Sequence, residues 1–216
     1  MLFARAIRKA GTKGMRLPGL WRAPEDRATH IFLTFDDGPH ETHTPRVLDL
    51  LAAHGAKATF FVVGSRAERA PELLKRITKE GHSLGNHTHT HPTLPQIATE
   101  KGMEDIERCQ RLIETYDGAR LFRPPHGLLG LSLYRRLVKG GFRIALWSLD
   151  SHDYRDNDSA MLAGRLRQCA APGSVILFHD DRPNCLEPLE RFLEDAKERR
   201  YRFGTLASPS HDGSTR

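Results

Sequence analysis

Short apolar runs alternate with helical stripes along most of this chain. Ile31–Phe35 is β-branched and aromatic, with the composition of a strand, and Ala58–Val63 repeats the pattern. Between them, Pro45 suits the first turn of a helix, and Val47, Leu48 and Leu51 follow at helical spacing. Leu73, Leu74 and Ile77 mark a helix over 71–79 that Gly81 ends, and a third strand leads into His87. Met103, Ile106, Cys109, Leu112, Ile113 and Tyr116 form one face of a long helix. Leu121–Phe122 begins a short strand that meets Pro124, and Phe142–Trp147 reads as the next one. A helix over 159–170, a strand over 174–178, a helix face at Leu186, Leu189, Phe192, Leu193 and Ala196, and a last strand over 201–206 complete the series.

Such alternation predicts an α/β fold with a parallel sheet covered by helices. A barrel and an open doubly wound sheet satisfy it equally. The polar residues sharpen the picture, because the reactive ones follow strand ends: Asp36 and Asp37, His87, Arg123, Asp150 and Asp153, then His179 and Asp180. Parallel architectures build active sites at the carboxyl ends of their strands.

The segment Asn86–His91 holds three histidines in five residues. An extended backbone would put His87, His89 and His91 on one face, whereas a helical turn would pair His87 with His91. Either arrangement suits a borderline divalent cation, and a catalytic site wants a third protein ligand. Asp36 and Asp37 in TFDDGP supply a carboxylate for the metal and another free as a base. His179, directly after an apolar run, titrates near neutrality and suits a general acid. Arg123 can orient a carboxylate, and Asp150 or Asp153 can orient an imidazole. Together these groups fit metal-assisted hydrolysis of an amide or ester.

TFDDGP followed by GNHTxxHP, then RPPHG, WSLDSHDY and ILFHD, resembles the polysaccharide deacetylases of carbohydrate esterase family four, the NodB-homology domain. The resemblance runs from about Ile31 to Leu206. It implies a distorted (β/α) barrel of seven parallel strands and removal of acetyl groups, chiefly N-acetyl, from sugars. It further implies Asp36 as base, Asp37, His87 and His91 as metal ligands with His89 left out, Arg123 orienting Asp36, and His179 as acid steered by Asp153. The metal would be Zn²⁺, with Co²⁺ or Ni²⁺ able to replace it. Leu177 and Phe178 would lie near the acetyl methyl. His126 stands where the family usually carries an aromatic residue beside the oxyanion-donating N–H, and Tyr154 stands where it usually has tryptophan. Both departures bear on the substrate more than on the chemistry. The same residues would serve an O-acetyl esterase or a non-sugar amidase, and an inactive metal- or glycan-binding module is the alternative of another class.

Composition changes this little. With 216 residues, 38% apolar and 28% charged, the chain suits one domain with a substantial core. Its net charge of +6 is scattered, and without an aromatic–basic platform no nucleic-acid partner is expected. Three widely spaced cysteines, Cys109, Cys169 and Cys185, argue against a disulfide framework. Residues 1–29 are expected to be a basic segment on or beside the fold, 30–206 the catalytic domain and 207–216 a disordered tail. Leu2, Phe3, Ala6 and Ile7 could form the apolar face of a short helix that touches a membrane surface. No apolar stretch reaches signal-peptide length, so the expected setting is cytoplasmic or at the inner membrane. A monomer acting on a carbohydrate is the expected form.

Overall fold

The computed structural model describes residues 18–23, 30–116 and 118–207. The strands are β1 (His30–Asp36), β2 (Ala58–Val62), β3 (Ser83–Asn86), β4 (Leu121–Phe122), β5 (Arg143–Ile144), β6 (Leu149–Asp150), β7 (Val175–His179) and β8 (Arg202–Phe203). The helices are α1 (His43–Ala53), α2 (Gly64–Ala67), α3 (Pro71–Lys79), α4 (Thr99–Glu114), α5 (Leu131–Lys139), α6 (Ser159–Cys169) and α7 (Leu186–Glu198). Seven strands follow one path in the order β5-β4-β3-β2-β1-β7-β6, and β8 pairs the start of β1. All pairs are parallel. The sheet curls into a distorted half-barrel, as the alternation and the resemblance together predict.

Side-chain alternation divides β1 between two layers. Ile31, Leu33 and Phe35 point outward and pack with Leu48 and Leu51 of α1, Leu74 and Ile77 of α3, and Leu189 and Phe192 of α7. Phe32 points inward and shares the barrel interior with Phe61, Leu121, Val175 and Leu206. Thr34 and Asp36 continue the inward row towards the carboxyl end. Trp21 closes the opposite end, edge-on to Phe32 at 5.0 Å, with its indole N–H on the Leu206 carbonyl at 2.8 Å.

The run 142–147, expected as one strand, is strand only at Arg143–Ile144, and Leu149–Asp150 beyond it forms a further strand. β5 and β6 lie on the two edges of the sheet, and residues 145–148 cross the seam between them. At the seam Ala145 N–H still bonds Phe122, while Ser148 N–H bonds Val175 on the far side, both at 2.9 Å. The free edge of β5 is covered by residues 19–21: Leu20 pairs Ile144, which also bonds Gly19 and Trp21. That much of the flanking N-terminal segment is part of the sheet. The amphipathic face at Leu2–Ile7 and the tail from 208 lie outside the described residues. Helix α5 is a further element beyond those expected, although Leu133, Tyr134 and Leu137 have helical spacing and are buried against Phe122 and Phe142. No described helix is long and apolar enough to cross a membrane.

Candidate metal centre and catalytic cleft

Asp36 ends β1, paired in register with His179 of β7. Its carboxylate is buried and takes Nη1 of Arg123 at 2.8 Å. Arg123 has no exposed surface. Its Nη1 also reaches the Thr34 hydroxyl at 2.8 Å and its Nε the Ala145 carbonyl at 3.0 Å, with the guanidinium 4.2 Å above the Phe61 ring. Burial draws the Arg123 pKa below its ordinary value, and the charge of Asp36 works against that. The second oxygen of Asp36 lies 3.8 Å from His87 Nε2, in the cleft.

Asp37 leaves the strand with φ 71°, in the left-handed region that non-glycine residues adopt at a cost of about 1–3 kcal/mol. That turn swings its side chain beneath two imidazoles. Its Oδ1 lies 3.4 Å from His87 Nε2 and 3.1 Å from His91 Nε2, buried and without a hydrogen-bond partner among the described residues. One ligand atom from each of the three residues falls within 4.8 Å of the others. Burial would raise the Asp37 pKa, but the imidazoles outweigh it and hold the carboxyl well below the usual carboxylate range. His87 Nδ1 bonds the Arg123 carbonyl at 2.7 Å, which leaves Nε2 directed at the cluster. One orphaned carboxylate oxygen facing two ring nitrogens, one of them oriented from behind, fits a divalent cation.

Neither backbone geometry expected for NHTHTH occurs. Thr88 and His91 have φ 69° and 58°, so the segment is a tight irregular loop. Its small polar residues build it: Asn86 Oδ1 accepts from Thr88 N–H at 2.8 Å, and the Thr88 hydroxyl accepts from His91 N–H at 3.0 Å. His87 and His91 converge, their rings 5.0 Å apart. His89 turns away, buried so closely against Gly64 that a Cβ there would strike its Nδ1. Asp105 of α4 holds this loop through the N–H groups of His89 and Thr90 at 2.7 and 3.0 Å. His89→Ala should therefore keep its metal and activity and lose about 1–3 kcal/mol of stability to the cavity. Metal analysis alongside thermal melting checks this, and a clear fall in metal content would show that His89 belongs to the centre.

Across the cleft, Asp153 grips His179 twice, at Nδ1 (2.8 Å) and at the main-chain N–H (2.7 Å). Burial opposes charge on this imidazole, but Asp153, helped by Asp36 and Asp37, pushes its pKa up to about 9. Asp150 instead bonds the N–H of His152 and the Tyr154 hydroxyl, so of the two acids only Asp153 orients the imidazole. Tyr154, 43% exposed, stands edge-on to His179 at 5.2 Å.

The cleft, about 370 Å³, is also lined by His126, Trp147, Leu177 and Arg182. His126 sits in a left-handed turn, φ 58°, edge-on to His91 at 5.0 Å. Burial and the neighbouring His91 draw its pKa down. Leu177 faces the cleft, but Phe178 does not: strand alternation sends it outward, stacked on Phe35 at 5.6 Å. Thr34, Trp147 and Arg182 were not singled out from sequence. Thr34 alone carried a signal, two residues before Asp36 on the same strand face.

Comparison with known proteins agrees with this geometry. Residues 23–145 match the sequence model of the family described as "Polysaccharide deacetylase". A peptidoglycan-N-acetylglucosamine deacetylase of Bacillus cereus is 35% identical over 193 residues, covering 87% of this chain and 90% of that protein. A chitooligosaccharide deacetylase of Azorhizobium caulinodans is 37% identical over 156 residues, 71% of this chain and 74% of its own. Among solved structures, the peptidoglycan deacetylase PdaC of Bacillus subtilis superposes with a TM-score of 0.78 at 32% identity, over 84% of this chain and 89% of that one. The family 4 carbohydrate esterase of Streptomyces lividans, in complex with acetate, does so at 0.76 and 29%, over 84% and 93%. With its family match covering more than half the sequence, its half-barrel and its Asp-His-His cluster at the carboxyl ends of the strands, this chain belongs to the polysaccharide deacetylases of carbohydrate esterase family four.

Proposed function

We propose that the protein hydrolyses the N-acetyl groups of N-acetylglucosamine-type units in a glycan, using Zn²⁺, or Co²⁺ or Ni²⁺ in its place, held by Asp37, His87 and His91. One observation carries the reading: three converging ligand atoms share one cleft with a carboxylate fixed by Arg123 and an imidazole fixed by Asp153. When bound there, the cation would supply Lewis acidity towards water and the acetyl carbonyl. Asp36 accepts the proton of the attacking water through the oxygen Arg123 leaves free. Arg123 holds the other oxygen of that carboxylate in place at 2.8 Å. The main-chain N–H of His126, on the cleft wall, is the candidate donor to the oxyanion. His179 keeps Nδ1 on Asp153, so Nε2 is the atom that delivers a proton to the departing amine. An amide needs that proton, since an amine anion leaves very poorly. Tyr154, Trp147 and Leu177 are the surfaces offered to the sugar and its acetyl methyl. The names of the two curated relatives support N-acetylglucosamine-type glycans as the substrate class.

The test is acetate release from N-acetylglucosamine oligomers by the purified protein, before chelation, after chelation and after zinc is restored. Release should stop with the chelator and return with zinc. Release that continues in the metal-free protein would remove the metal from the mechanism, and no release by a zinc-loaded protein would move the substrate elsewhere.

A further inference from the structure

The two ligand-bearing loops come from different parts of the chain, and one short element touches the main chain of both. α2 begins where β2 ends. Gly64 N–H bonds the Thr88 carbonyl and Ser65 N–H the His89 carbonyl, both at 2.9 Å. Thr88 and His89 lie between the two imidazole ligands. The next residue, Arg66, turns its guanidinium the other way and donates Nη1 to the Asp37 carbonyl at 2.6 Å. The same nitrogen lies 3.2 Å from Asp181 Oδ2. Asp181 also takes Nε and Nη2 of Arg182, at 2.9 and 3.3 Å. Arg182 in turn reaches the Tyr154 carbonyl at 3.4 Å, on the loop that carries Asp153.

We propose that Arg66 is a positioning residue of the metal centre: braced by Asp181, it fixes the Asp37 main chain, while its own turn fixes the histidine loop. Asp37 needs such a hold. Its left-handed conformation is costly, and relaxation about its N–Cα bond would carry the carboxylate and the carbonyl together away from their present places. The guanidinium on its carbonyl opposes that relaxation. One peptide further on, Val63 N–H donates to the Gly38 carbonyl at 2.9 Å. Asp181 keeps the cation in place, being only 11% exposed and shared between two guanidinium groups. Burial would raise its pKa, but Arg182 and Arg66 hold it below the ordinary carboxylate value. Supporting groups of this kind typically change metal affinity by about 10–100-fold. The inference rests on the metal site proposed above.

Zinc dissociation constants, from competition with a chromophoric chelator, test it on the full chain. Arg66→Ala should bind zinc about 10–100-fold more weakly, while its chelator-treated form melts within a few degrees of wild type. Arg66→Lys retains a donor for the Asp37 carbonyl and should recover part of the loss. Asp181→Asn, which leaves Arg66 in place but unbraced, should shift affinity in the same direction by less. Arg66→Ala binding zinc as tightly as wild type would overturn the proposal, as would an Arg66→Lys variant that recovers nothing. A wild-type protein that binds no zinc would instead remove the metal reading, and this inference with it.

Discussion

Asp36→Asn is expected to lower kcat by about 10²–10⁴-fold, the usual contribution of a positioned base, while metal content stays at the wild-type level. The amide keeps the shape of the carboxylate and can still accept from Arg123. It cannot accept the proton of water. Asp37, His87 and His91 are untouched, so the ligand set survives. The variant should also be less stable. Arg123 is fully buried, and Asp36 is the carboxylate paired with it. Removing one partner of a buried pair commonly costs about 3–5 kcal/mol, though Thr34, the Ala145 carbonyl and the Phe61 face remain to offset part of it. Metal analysis, steady-state kinetics and a thermal melt separate these effects. Loss of bound metal would reassign the roles, because Asp36 Oδ2 stands only 3.8 Å from His87 Nε2 and could be the true ligand.

The second large effect concerns His179. His179→Ala should slow amide substrates by about 10²–10⁴-fold and activated acetate esters far less, since a phenolate leaves without a proton. Equal losses on both would count against a role as acid. The pH dependence gives a further reading. A folded-state pKa of about 9 against an unfolded value near 6.5 means that the imidazolium persists through neutral pH. Its contribution to stability is complete below about 6.5 and disappears as pH rises through about 9. Turnover by the acid form should decline over the same alkaline range, and a bound cation, opposing Asp36 and Asp37, would shift that decline downward. In Asp153→Asn the main raising influence is gone and burial still disfavours charge, so the alkaline limb of kcat should move to lower pH. A limb that stays in place in this variant would mean another group sets it.

Much of this site was legible because strands announce themselves. Ile31–Phe35 and Val175–Phe178 are too apolar to lie anywhere but a core, so the polar residues after them had to emerge at one end of the sheet. Pairing of neighbours in space was less visible. The convergence of His87 on His91 depends on two left-handed residues, Thr88 and His91, that local propensity disfavours; the side chain of Asn86 within the loop and that of Asp105 from α4 hold the loop that contains them. Arg66 gave no signal, since its partner is a carbonyl, which every residue has. The early end of β5 was hidden for a related reason. Leu146 and Trp147 are apolar enough for a strand, and only the distance between the two sheet edges prevents it. Phe178 was misplaced by one step of alternation, which sends neighbouring side chains to opposite faces.

The seam at 145–148 has a use. In an unbroken barrel the Ala145 carbonyl would meet the N–H of a strand beside it. Here it is free to receive the Nε of Arg123, deep in the interior. The placement of the base thus draws on a missing rung of the ladder. A barrel with this gap repaired would be the more regular structure and the poorer enzyme, because its most buried cation would lose a main-chain acceptor.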